Sequence, residues 1–176
     1  MARLEVGAVH DYNGGSTNKS LIERLGITIN SETLPLNYTE KKARPIASLA
    51  RTCGFSDAHT VRKIGNKKLT ISGILNDVGL MIWFGNQHFV FKHFINFQLL
   101  FDEGKITSAV YITSTKEETI NRLEKIRISQ GKKPSHVDNK KKSALNYNEF
   151  ETTVEFLEAM RGLITVPITV IGLREA

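Results

Sequence analysis

The chain has 176 residues, 40% hydrophobic and 24% charged, a composition that supports a buried core and argues against both disorder and a membrane protein. A single cysteine, Cys53, excludes an internal disulfide framework and a Cys-x-x-Cys zinc knuckle. The net charge of +6 is unevenly placed: Lys41 to Lys68 holds eight basic residues against one acid, Arg122 to Lys142 holds eight against two, and the remainder is net negative.

Two basic segments on an acidic body read either as solvated loops or as a surface for a polyanion, of which nucleic acid is the usual one. No apolar run approaches the roughly 18–20 residues of a bilayer span. The opening MARLEVGAVHDYNGG lacks a signal-peptide pattern. The expectation is a soluble, cytoplasmic protein with one domain over residues 1–176.

In chain order, NGGSTNKS (13–20) reads as a Gly/Ser turn leading into a short helix, Leu21 to Leu25, capped by Gly26. Residues 27–68 carry Pro35, Pro45 and many polar residues, with a short helix around Ile46 to Cys53. An irregular stretch of this length is often a functional surface. From Leu69 the pattern sharpens. LTISGIL (69–75) and VGLMIWF (78–84) flank Asn76-Asp77 and predict a hairpin with a two-residue turn. Val90, Phe94, Phe97 and Phe101 give one apolar face to a helix over 88–101. ITSAVYIT (106–113) reads as a buried strand. Ser114-Thr-Lys-Glu117 reads as a capping box for a helix to about Ile128. A polar loop over 129–146 precedes a helix opened by Asn146 to Glu149 and stopped by Gly162. VPITVIGL (166–173) is a closing strand. Strands joined through helices predict an α/β domain, with a central mixed sheet flanked by helices.

Several chemistries lack their motifs. There is no G-x-S-x-G elbow, no P-loop and no G-x-G-x-x-G after a strand. The histidines, His10, His59, His88, His93 and His136, show no i, i+4 pair beside an acid, so a zinc site is not expected.

The run Val78 to Thr113, VGLMIWFGNQHFVFKHFINFQLLFDEGKITSAVYIT, resembles the core of BglII/BstYI-type restriction endonucleases. The opening ARLEVGAVHDYNGG resembles that family's first strand and turn. Pro134-Ser-His-Val-Asp138 resembles its specificity loop, and VPITVIGL its last strand. The resemblance implies a restriction-endonuclease-like core of the PD-(D/E)XK class, which cuts duplex DNA with Mg²⁺ as a homodimer on near-palindromic sites. Such a site needs an acid before the hairpin turn, then a second acid and a Glu or Gln one residue apart in the next strand. Carboxylates suit a hard cation and orient the attacking water, and alternation puts residues two apart on one face.

At those positions this chain has Ser72, Met81 and Trp83. A lone hydroxyl is a weak ligand, a thioether is a soft one, and an indole offers only an N–H donor. The resemblance therefore implies a degenerate centre with no cofactor, and Mg²⁺ only if the chain is active through carboxylates relocated to Asp77, Asp11, Glu5, Asp102 or Glu103. Met81 and Trp83 as plain core residues of an unrelated α/β domain is the other reading. DNA contact is assigned to Asn86, Gln87 and His88 after the second strand, to Lys92 on the helix, and to Lys132, Lys133, Ser135, His136, Asn139, Lys140, Lys141 and Lys142 in the polar loop. There lysines bind phosphates while Ser135, His136 and Asn139 read bases. The expected partners are double-stranded DNA and either a second copy or a nuclease subunit. The expected role is a non-cutting relative within a type II restriction system. The alternatives are an active Mg²⁺-dependent nuclease and a protein-binding domain with no nucleic acid role.

Overall fold

A computed structural model describes residues 2–14, 19–31, 33–34, 45–133 and 147–176. Strands β6 (Val78–Ile82) and β7 (Ser108–Ser114) are buried at every position, as apolar runs without polar alternation require in a parallel sheet covered on both faces. They pair in parallel, Leu80 opposite Val110 and Met81 opposite Tyr111. β7 pairs in parallel with β8 (Ile168–Glu175). The flanks are antiparallel: β1 (Ala2–Tyr12) on β8, β2 (Thr33–Leu34) on β1, and β5 (Gly73–Leu75) on β6. The order across this mixed sheet is β2-β1-β8-β7-β6-β5.

Helices cover both faces, so the expected α/β architecture is the one observed. On one side, Leu21 and Leu25 of α1 (Lys19–Ser31) and Leu49 of α2 (Pro45–Thr52) join Leu80, Ile82 and Val110. On the other, Phe94 and Phe97 of α3 (Val90–Asp102) and Leu157 of α5 (Phe150–Ala159) join Met81, Tyr111 and Val170. The fourth helix, α4 (Lys116–Ser129), follows β7. Gly79 lets α3 close onto β6: a Cβ there would stand 3.2 Å from Phe97.

The β5–β6 hairpin turns at Asn76-Asp77 as expected, with Asn76 at a positive φ of 54°. Other elements differ from the sequence reading. Gly26 does not stop α1, which runs on to Ser31. Ile29, four residues after Leu25, is buried beside it. Burying such a side chain is worth about 1.5–3 kcal/mol, more than the roughly 1 kcal/mol a helical glycine costs. Residues 69–75 form two strands rather than one. Ser72 donates its N–H to the Leu80 carbonyl (2.8 Å), and its hydroxyl takes the Ile82 N–H (3.0 Å). Before it, β4 (Lys67–Ile71) pairs with β3 (His59–Ile64) instead. So the end of the stretch expected to be irregular is a two-stranded ribbon around Gly65-Asn66. The cap of α4 is Thr115, whose hydroxyl accepts the Glu118 N–H. Ser114 ends β7 and bonds Thr119 at 2.7 Å. Helix α5 starts at Phe150, and Asn146 lies outside the described residues.

Candidate functional site

Along β6 the residues facing α3 are Gly79, Met81 and then Trp83 just beyond the strand. Ser72, where β4 departs from β5, sits against this row with its hydroxyl 3.6 Å from the Met81 sulfur. Between them and the first turn of α3 lies an open cleft of about 340 Å³, walled by Thr70, Ser72, Met81, Trp83, Phe89 and Lys92. The three positions singled out in the sequence, nine and two residues apart, therefore meet in space.

Trp83 folds back over the chain that follows it. Its indole N–H donates to the Asn86 carbonyl at 3.0 Å. Its ring meets Phe89 and His93 at 5.8 and 4.9 Å, with interplanar angles of 77° and 70°. Such edge-on arrangements suit the ring quadrupoles. A side chain at position 85 would displace the indole, because a Cβ there would lie 2.7 Å from it.

Beneath the cleft a buried polar chain runs inward. Asn148 donates from Nδ2 to the hydroxyls of Tyr111 (3.1 Å) and Thr113 (3.0 Å), and its Oδ1 accepts from Thr153 (2.8 Å). Tyr111 also shares a hydrogen bond of 3.2 Å with Nδ1 of His93. Burial, with Lys92 adjacent, lowers the His93 pKa from 6.5 to about 3, so the ring is neutral. Burial also raises the Tyr111 phenol well above its usual range.

The family model for the restriction endonucleases BglII/BglIII matches residues 26–173. This chain belongs to that family. In fold it is similar to restriction endonuclease BglII in its crystal structure complexed with a DNA 16-mer, with a TM-score of 0.67, 14% identity, and 96% of this chain and 76% of that one covered. No curated protein sequence matches it.

For a member of the BglII family, the donor set in the cleft is out of keeping with Mg²⁺. The Ser72 hydroxyl already accepts from Ile82 and points its proton at sulfur. Met81 is 5% exposed and offers a thioether. Trp83 offers a donor where a cation needs an acceptor. Among the described residues no three His, Cys, Asp or Glu side chains gather where they would hold a metal ion. The acids considered for relocation are engaged elsewhere. Asp77 accepts from Thr107 (2.6 Å), Asp11 from Thr169 (2.9 Å), Glu5 from Arg174 (2.7 Å) and Asp102 from Gln98 (2.7 Å). Glu103 lies between Lys105 (2.8 Å) and Arg62 (3.0 Å), whose hydrogen bonds hold its carboxyl below the usual range.

The residues assigned to DNA fall into three groups. Lys92 lines the cleft. Asn86 and His88 are exposed just after it and Gln87 is half-buried. The Asn86 side chain is partly committed, since its Oδ1 accepts the His88 N–H (2.8 Å) and caps the turn Gln87–Phe89. Lys132 and Lys133 are exposed after α4, with the Lys133 carbonyl accepting from Arg127 (2.7 Å). Ser135, His136, Asn139, Lys140, Lys141 and Lys142 lie outside the described residues. The chain re-enters at Tyr147, which bridges to Asn86, and at Asn148, whose N–H donates to the Gly85 carbonyl (2.7 Å). The described chain thus resumes beside the mouth of the cleft.

Sequence reasoning missed His93, Tyr111 and Asn148. For His93 a signal existed, because it shares the α3 face of Val90, Phe94 and Phe97, where a lone polar residue implies a buried partner. It also missed the β3–β4 ribbon, although Gly65-Asn66 between HTVRKI and KKLTI is a hairpin signature.

Proposed function

We propose that this chain binds duplex DNA as a BglII-type protein whose own centre is closed to ordinary Mg²⁺ cleavage, acting as a catalytically degenerate homologue or as the non-cutting subunit of a type II restriction system. One observation carries the reading. A hydroxyl, a thioether and an indole occupy the three positions where the family pattern places its acids and its Glu or Gln, and they are satisfied by one another and by the backbone. The fold match to a restriction endonuclease complexed with DNA supports the binding half of the reading, as do the lysines that flank the polar loop.

The proposal includes association, as a homodimer or with a nuclease partner. Phe91 and Ile95, one turn apart on α3, are 40% and 47% exposed, and Phe91 lies 4.6 Å from the Phe156 ring of α5. An apolar face of this kind is ordinarily covered. Sedimentation of the purified chain reads its oligomeric state.

The deciding experiment has two arms. Supercoiled plasmid incubated with the chain and Mg²⁺ or Mn²⁺ is expected to stay supercoiled, and discrete linear bands would favour an active nuclease with relocated carboxylates. A gel shift on mixed-sequence duplex is expected to show retardation at low salt that fades as salt rises. Its absence at low salt would favour a protein-binding domain.

A further inference from the structure

Four of the eight basic residues in the first charged segment lie on the β3–β4 ribbon: Arg62, Lys63, Lys67 and Lys68. The register sorts them by side. Lys63 stands directly opposite Lys68, while Arg62 pairs with Leu69 and Ile64 with Lys67. Successive residues of a strand point to opposite sides. Arg62 and Leu69 therefore share the inward side, where Arg62 donates to Glu103 at 3.0 Å and Leu69 packs on the core. Lys68 shares the other side with Thr70, and Thr70 and Ser72 wall the cleft.

The Lys63–Lys68 arrangement is unfavourable by itself. Like charges directly opposite on a hairpin repel at close range. Both side chains are exposed, and among the described residues no carboxylate forms an ion pair with either, whereas Arg62 nearby has Glu103. An anion seated between the two ammonium groups turns that repulsion into attraction. The pair also leads somewhere. From Lys68 through Thr70 to Ser72 the chain spans about 14 Å at 3.4 Å per residue, the axial length over which one strand of a duplex presents about four phosphates. Lys92 waits at the far wall of the cleft.

We propose that Lys63 and Lys68 form a phosphate clamp that guides one strand of duplex DNA along the ribbon to the cleft under Trp83. The clamp rests on the DNA-binding reading above and assigns it a specific surface. It grips backbone only, so it acts equally on all sequences.

The test is fluorescence anisotropy with a labelled mixed-sequence duplex over a salt series. Lys63→Ala with Lys68→Ala is expected to flatten the slope of log K against log[salt] by about 2. Lys63→Arg with Lys68→Arg retains the slope. Lys67→Ala, which removes a charge from the other side of the same ribbon, leaves it unchanged. A thermal melt of the double alanine variant is expected to be unchanged or raised, because a repulsion has been removed. If the native chain binds but the double alanine variant keeps the native slope, the clamp is wrong while the DNA-binding reading stands. If Lys67→Ala flattens the slope as much as each clamp lysine does, the effect is general charge, and the clamp is again wrong. If the native chain does not bind duplex at low salt, both fall.

Discussion

In the cleft under Trp83 the polar groups have found protein partners: the Ser72 hydroxyl holds the Ile82 N–H, the indole N–H holds Asn86, and His93 holds Tyr111. On the β3–β4 ribbon that leads into it, Lys63 and Lys68 face each other across the hairpin, and among the described residues no carboxylate offsets them. One region is closed on itself and the other is open to a partner. A cleavage centre must hold acceptors free for a cation until substrate arrives, whereas a phosphate-gripping surface needs only positive charge and a track. The two requirements are separable, and the proposed reading assigns only the second to this chain.

The strongest way to break the comparison is to put an acceptor back. Met81→Glu places a carboxylate at a position that is 5% exposed, with only Lys92 among the cleft walls to offset it. An uncompensated buried charge costs about 3–5 kcal/mol. Its folded-state pKa lies above the unfolded value, so the deficit is least in acid and grows as pH rises past the ordinary glutamate range. Urea unfolding at two pH values measures this. Mg²⁺ is expected to leave the variant's midpoint unchanged, and a Mg²⁺-dependent recovery would mean that the cleft still seats a cation.

The cleft's closure also has a pH signature. His93 is neutral when folded, with a pKa of about 3 against 6.5 in the open chain. Between those values the unfolded state binds a proton that the folded state refuses. Its contribution is therefore complete above about pH 6.5 and is lost as pH falls toward 3, at up to about 1.4 kcal/mol per pH unit. His93→Gln removes that titration while keeping a partner for Tyr111, so its stability falls less steeply over this window. The difference in slope between the two proteins isolates His93 from the carboxylates that titrate alongside it. Equal slopes would mean that the ring is accessible to protons.

Much of this was legible in the chain and some was not, for physical reasons. The β-rich run after Asn76-Asp77, the apolar face of α3 and the continuous run of β7 are local signals, and these three elements formed within a few residues of where their patterns placed them. Ser72, Met81 and Trp83 were singled out by the resemblance to the family pattern, but their meeting depends on β4 leaving the sheet at Ser72, which hydrogen bonds decide and periodicity does not. The His93–Tyr111–Asn148 chain joins residues 18 and 37 apart in sequence. Each of those residues looks ordinary in its own element. Gly26 and the capping serine failed for the opposite reason. Local propensity pointed one way, and burial of Ile29 or a better-placed neighbour, Thr115, won.

A smaller intervention sharpens the comparison from the side of Trp83. Gly85→Ala introduces a methyl 2.7 Å from the indole. The ring, held by Phe89, His93 and the Asn86 carbonyl, must shift outward at a cost of about 1–3 kcal/mol, typical of overpacking. Trp83 is the only tryptophan in the chain, so its emission reports the change directly, and a shift to longer wavelength is expected. Unchanged emission together with an unchanged melt would place the indole away from Gly85.

The smallest expected effect on the fold comes from the exposed end of α4. Lys132 and Lys133 are exposed, and among the described residues Lys133 is held through its carbonyl, which accepts from Arg127. Changing both to alanine removes two exposed charges, so stability is expected to stay within about 0.5 kcal/mol. Their role lies in the salt dependence of DNA binding. If the lysines beside the polar loop contact phosphates, the slope of log K against log[salt] falls by up to about 2. Combined with the alanine pair at Lys63 and Lys68, the two changes are then expected to add, because the sites share no partner. A sub-additive result would mean that the loop and the ribbon compete for the same phosphates, and that the open surface is one patch rather than two ends of a track.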